Sequence, residues 1–165
     1  MTYDAPLIVH REAVQPAWTD YNGHMNVAYY NLAFDHSVDA LFNLIDVGID
    51  YVRRTNMSVF VLETHVNYIQ EVVEGDPLRF ELQLIDWDAK RAHFFIRMFH
   101  DEKNYLAATS EQLSVHVDLS TRRTAPLPDA AQQALARMME SHSRMARPAE
   151  VGRAMGIRRK PEAAE

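Results

Sequence analysis

Trp18-Thr19-Asp20-Tyr21-Asn22-Gly23-His24-Met25-Asn26 runs directly into Val27-Ala28-Tyr29-Tyr30-Asn31-Leu32-Ala33-Phe34. The second of these segments opens a periodic stretch. Tyr30, Phe34, Val38, Leu41 and Ile45 recur at helical spacing, which predicts a long amphipathic helix from Val27 to the turn residues near Gly48. At about 1.5 Å per residue such a helix can cross a small sheet. The first segment places Asp20, Asn22, His24 and Asn26 at alternate positions just before the helix, with Gly23 between them. Capping of orphan backbone N–H groups accounts for Asn26. It does not account for Asp20, Asn22 and His24, or for Trp18, Tyr21, Tyr29 and Tyr30 crowded around them. That excess points to a site.

Upstream, Ile8 to Val14 is a short run bounded by Pro6 and Pro16 and reads as a strand. Downstream, a short helical piece is expected over Asp50 to Thr55, after which the period becomes alternating. In Val59 to Val72, Phe60, Leu62, Val66 and Tyr68 form the expected inward face, opposite Glu63, His65, Asn67 and Glu71. Leu78, Phe80, Leu82 and Leu84 mark the next strand, between the turns Glu74-Gly75-Asp76-Pro77 and Trp87-Asp88-Ala89-Lys90. Arg91 to His100 carries Phe94, Ile96 and Met98 on one face, and a last strand runs from Tyr105 to about Leu119. Connections of hairpin length imply antiparallel pairing. Asp129 is placed to cap a final helix through about Ser143. The chain then mixes proline, glycine and charge without a period, so the domain is bounded at 1–145 and a loosely held tail is expected over 146–165. The result is an α+β chain in which a curved antiparallel sheet wraps the long helix.

A length of 165 residues suits one domain with its own core. Cysteine is absent, which removes disulfides, thiolate zinc sites and a cysteine nucleophile and fits a reducing cytoplasm. The net charge of -6 argues against a nucleic-acid partner, which normally meets a basic surface. No stretch approaches the ~20 apolar residues of a membrane span, and the N-terminus lacks a basic region followed by an apolar run, so neither membrane insertion nor secretion is expected.

A carboxylate beside a helix start suits thioester hydrolysis, which needs a group that activates water or attacks the carbonyl, and donors for the developing oxyanion. The backbone N–H near Val27 would point at the carbonyl oxygen, and the helix dipole would favour negative charge there.

The run from Trp18 to Asn26, with Tyr29 or Tyr30 after it, resembles the Asp-x-Asn-x-His-x-Asn element of hotdog acyl-CoA and acyl-carrier-protein thioesterases. Gly75-Asp76 opening a strand, and Val115 to Arg123 followed by Pro126-Leu127-Pro128, are similar to the 4-hydroxybenzoyl-CoA thioesterase-like branch. The resemblance spans roughly Val9 to Pro128. More narrowly, Asp20 to Met25, Glu63-Thr64-His65, Lys90-Arg91-Ala92-His93 and Glu111-Gln112 followed by His116-Val117-Asp118 resemble the betainyl-CoA thioesterases of carnitine breakdown. Exposed strand edges and a half-polar sheet suggest a homodimer with a continuous sheet, or a homotetramer. The resemblance implies a hotdog fold with active sites at subunit junctions, and hydrolysis of a CoA thioester without a cofactor beyond the coenzyme A of the substrate. It assigns Asp20 as the catalytic carboxylate, Asn22 and His24 as its polar partners, and the Val27 N–H as the oxyanion donor. Some members of the branch use a carboxylate on the long helix, where this chain offers Asp35 and Asp39, late in the helix.

Further candidates carry two readings each. Trp18, Tyr21, Tyr29 and Tyr30 could hold a quaternary ammonium group by cation–π contact or simply pack. Glu111 shares the apolar alternation of its strand and is either a site carboxylate or a structural ion-pair partner. Glu63, with His65, lies on a polar strand face, either at the substrate or at a subunit contact. Lys90, Arg91, Arg122 and Arg123 could meet CoA phosphates or be ordinary solvated charges. His65, His93 and His116 on strands lack any His-Glu-x-x-His or similar spacing, so no catalytic metal is expected. The rival functions are an enoyl-CoA hydratase or dehydratase on the same fold, whose motif carries proline after the asparagine where Gly23 stands here, and a non-catalytic acyl-CoA binding protein.

Overall fold

A computed structural model describes residues 2–157. β1 (Leu7–Ala13) is followed by a short 3-10 turn (Pro16–Trp18), α1 (Val27–Leu44), α2 (Ile49–Thr55), β2 (Met57–Tyr68), β3 (Pro77–Trp87), β4 (Arg91–His100), β5 (Leu106–Asp118), a two-residue β6 (Arg123–Thr124) and α3 (Asp129–His142). The sheet order is β1-β3-β4-β5-β2, with β6 beside β5, and every pairing is antiparallel. This is the hotdog arrangement, with α1 against one face of a curved sheet.

The helical period accounts for α1 directly. Tyr30, Phe34, Val38, Leu41 and Ile45 are all buried, against Leu78, Phe80, Leu82, Leu84, Phe94, Ile96 and Met98 of β3 and β4. Full burial of each such side chain contributes about 1.5–3 kcal/mol. Leu127, Ala131, Leu135 and Met138 bring α3 into the same core. Asp129 is the first residue of α3 and not its cap; Pro128 holds the cap position and no side chain caps the helix, because the chain enters it with the fixed φ of proline.

β2 departs from the expected face. A register shift between Val61 and Glu63 reverses the alternation. Phe60 and Leu62 are therefore exposed, while Val59 and Val66 pack on the core. β5 departs too. Ser110, Gln112 and Ser114 pair with Ile96, Phe94 and Ala92, so this buried polar stripe faces the helices. Glu111 and Leu113 lie on the outer face with Phe95 and His93.

Part of the tail is anchored. The Gln83 side chain donates to the Ala146 carbonyl at 3.3 Å, and the Gly152 N–H donates to both Glu111 oxygens at 2.8 and 3.1 Å. Gln83, Phe95 and Glu111 are successive partners across β3, β4 and β5. The segment between the anchors thus crosses the outer face above Phe95, which is 1% exposed. Residues 158–165 of the expected tail, like Met1, lie outside the described residues. No helix among the described residues is long and apolar enough to cross a membrane.

Candidate active site

The loop before α1 is closed by its own backbone. Thr19 and Met25 form a bridge, Asp20 N–H donates to the His24 carbonyl at 3.1 Å, and Gly23 N–H donates to the Asp20 carbonyl at 3.0 Å. Gly23 has φ 81°, a left-handed value that glycine adopts without steric cost. The Asp20 carboxylate accepts the Asn22 N–H at 2.8 Å, which fixes its direction within the loop. Two bonds tie the loop to the body: Asn26 N–H to the Trp18 carbonyl and Met25 N–H to the Val72 carbonyl, both 2.9 Å. Asn26 caps α1 by accepting the Ala28 N–H at 3.0 Å. The Val27 N–H has no acceptor among the described residues. It stands at the positive end of an 18-residue helix, where an oxyanion is favoured.

A groove of about 200 Å³ at this end of α1 is lined by His24, Val27, Tyr30, Tyr68 and Glu71 among others. The Met25 bond to Val72 brings the chain after β2 to the loop and sets Glu71 Oε2 3.6 Å from His24 Nε2. Tyr30 and Tyr68 meet edge to face with centroids 5.2 Å apart, and burial raises the Tyr30 phenol above its ordinary value. Asp20 is partly exposed and stands outside the lining of this groove. Glu71 and Tyr68 are the residues that sequence reading missed. Both looked like ordinary strand positions; long-range contacts, the Met25 bond to Val72 and the Asn31 side-chain N–H bond to the Tyr68 hydroxyl at 3.3 Å, bring them to the groove.

The four motif aromatics do not come together. Trp18 is buried and stacks on Tyr29 at 5.8 Å, Tyr30 turns into the core, and Tyr21 is 97% exposed. The basic residues lie at the other end of the sheet. Tyr68 pairs with Ala108 at one end of β5, whereas Arg91 pairs with Val115 and Arg123 with Asp118. At roughly 3.3 Å per strand residue the separation is about 20–30 Å. Arg91 is held by Asp88, Nε to Oδ2 at 2.8 Å, and its guanidinium pulls the Asp88 carboxyl down to about 2. Lys90 and Arg122 are exposed beside them. Glu63 and Glu111 line a second groove of about 380 Å³ on the outer face, with His65, His93 and Arg153. There the Glu111 carboxylate also meets His93 Nε2 at 2.8 Å. His116 is buried and bonds Tyr51 at 3.0 Å. Asp35 and Asp39 face a groove between α1 and β2; burial first, then Asp35, raises the Asp39 carboxyl.

Residues 14–135 match the thioesterase-like superfamily. The chain is 34% identical over 158 residues to the betainyl-CoA thioesterase of Pseudomonas aeruginosa, covering 94% of both chains. It is 33% identical over 154 residues to an L-carnitine dehydrogenase/betainyl-CoA thioesterase of a Rhizobium species, covering 93% of this chain and 31% of that longer protein. A solved protein of Pseudomonas putida KT2440 superposes with a TM-score of 0.81 at 33% identity, covering 94% of this chain and 99% of that one.

Proposed function

The chain belongs to the thioesterase-like superfamily, and on that premise we propose that it hydrolyses an acyl-CoA thioester to the acid and free CoA at the start of α1, with betainyl-CoA as substrate. The observation that carries this reading is the Val27 N–H, unbonded among the described residues and belonging to a residue that lines the groove of His24, Tyr68 and Glu71. The thioester carbonyl accepts that N–H, and one such donor is typically worth ~10²–10³ in rate. Asp20 is the carboxylate that attacks the carbonyl or takes a proton from water. Asn22 and His24 orient the reacting water or the substrate. The quaternary ammonium group of a betainyl substrate is met by the Tyr30 and Tyr68 rings and by the Glu71 carboxylate, a combination suited to a cation that cannot donate a hydrogen bond.

A second assignment of the base rests on one distance. His24 lines the groove with Glu71 at 3.6 Å, whereas Asp20 does not line it. In that reading His24 takes the proton from water and Asp20 holds the loop.

β2 is an edge strand that exposes Phe60, Val61 and Leu62. These support a homodimer with paired β2 strands, or a tetramer of such dimers, with the groove at the junction. Lys90, Arg91, Arg122 and Arg123 are then the candidates for CoA phosphates brought from a second copy. A sequence without cysteine supports a cytoplasmic setting.

The test is thiol release from a panel of betainyl-, acetyl-, benzoyl- and palmitoyl-CoA. Betainyl-CoA is expected to give the highest kcat/KM; a rank no better than acetyl-CoA would remove the substrate assignment and leave the hydrolysis.

A further inference from the structure

Away from the groove, on the other flank of α1, His10 and Glu12 of β1 and His36 of α1 form a cluster. Their nitrogen and carboxylate ligand atoms lie within 4.8 Å of one another. The contacts inside the cluster are unequal. His36 Nδ1 and Glu12 Oε2 are hydrogen-bonded at 2.9 Å. His10 Nε2 and Glu12 Oε1 are 3.6 Å apart, beyond hydrogen-bond range, and both atoms are buried without a hydrogen-bond partner. Two facing polar atoms that desolvate each other without bonding call for something between them.

We propose that His10, Glu12 and His36 bind one divalent transition-metal ion of the zinc class, clamping the edge strand β1 to α1. Imidazole nitrogens with a single carboxylate suit zinc, cobalt or nickel and disfavour magnesium and calcium, which take oxygen ligands. A zinc ion at about 2.0–2.2 Å from each ligand holds its ligand atoms roughly 3.0–3.6 Å apart, so the His10–Glu12 gap already has the right width. The remaining adjustment is a turn of the His36 ring that takes Nδ1 from Glu12 Oε2 to the ion, across a separation from His10 of no more than 4.8 Å. The ring has room for it, because the His36 side chain is 37% exposed while Glu12 is 15% exposed. Neighbouring rings fix the site: His10 lies 5.7 Å from Phe80, and Trp18 lies 6.2 Å from His36. Spacing alone did not reveal the cluster, because its third member comes from a different element 24 residues away from Glu12. A clamp there would hold the flank of α1 on which Trp18 rests, without touching the groove at Val27.

The experiment uses the full chain, free of any affinity tag and stripped with a chelator, titrated with cobalt(II) and followed by visible absorption, with zinc as competitor. One tetrahedral cobalt spectrum per chain, displaced by zinc, is expected. Zinc at 100 times its Kd is expected to raise Tm by about 5–10 °C, the shift that about 2.7 kcal/mol gives a chain of this size. Glu12→Gln and His36→Asn should each weaken binding by more than about 100-fold, beyond the loss that changing an outer partner of a ligand brings. His93→Asn, on the outer face, should bind as the natural protein does. Absence of both the cobalt bands and the zinc-dependent rise in Tm in the unaltered chain overturns the proposal, whether or not the variants fold. Undiminished binding by folded His36→Asn overturns it as well.

Discussion

Glu71 Oε2 stands 3.6 Å from His24 Nε2 at the groove beside the start of α1, carried there by the Met25 N–H bond to the Val72 carbonyl. The Glu71 side chain is 70% exposed, so its attraction for a substrate cation is largely screened and worth at most about 1 kcal/mol. Glu71→Gln should therefore lower kcat/KM for betainyl-CoA by about two- to five-fold relative to acetyl-CoA. Added salt should shrink that difference in the unaltered protein. Equal losses on both substrates would show that Glu71 is not the counter-charge.

Asp20→Asn tests the choice of base. The Asn side-chain oxygen can still accept the Asn22 N–H that Asp20 accepts at 2.8 Å, so the loop and the Tm should be preserved while turnover falls by about 10²–10⁴, the usual contribution of a positioned acid or base. If Asp20→Asn keeps its activity and His24→Gln loses it, the base is His24.

His142 should make stability fall in acid. Its Nδ1 accepts the Leu84 N–H at 2.8 Å, and its Nε2 donates to the Asp4 carbonyl at 2.8 Å, an arrangement that only the neutral ring satisfies. Burial lowers its pKa below the ordinary histidine value. The folded state therefore binds this proton less readily than the unfolded chain does. The contribution is fully present above about pH 6.5 and is lost as pH falls through the lower folded value. Thermal unfolding between pH 8 and pH 5 should show a steeper fall for the natural protein than for His142→Asn, which starts about 1–3 kcal/mol less stable.

Glu111→Ala should loosen the crossing of the outer face. It removes the acceptor of the Gly152 N–H and the partner of His93. A loss of about 1–3 kcal/mol in denaturant unfolding is expected, together with faster proteolysis between Ala146 and Gly152. An unchanged cleavage rate would mean that the Glu111 anchor does not hold the segment.

Much of the fold was legible because its elements repeat their burial locally. Phe34, Val38 and Leu41 mark α1 every turn, and Leu78, Phe80, Leu82 and Leu84 mark β3 at every second residue. Such periods survive whatever the partner is. Asn26 was legible as a cap for the same reason, since a cap acts within its own turn. Glu111 was legible only as an anomaly. The alternation of β5 showed a carboxylate among apolar neighbours, and the tail segment that meets it lies 41 residues away.

The sequence by itself determined the α+β order, the long helix, the polar loop before it and, through the resemblance that the motif from Asp20 to Asn26 carries, the family. Tertiary structure decided which residues share the groove with that motif. The shift between Val61 and Glu63 turned Phe60 and Leu62 outward, and the bond from Met25 to Val72 set Tyr68 and Glu71 beside Tyr30 in place of Trp18, Tyr21 and Tyr29. A one-residue bulge puts the side chains before it, Phe60 among them, on the opposite alternation from those after it, such as Val66, and a single long-range hydrogen bond joins segments that share no local pattern. Neither leaves a periodic trace in the chain, so both become visible only when the strands are paired.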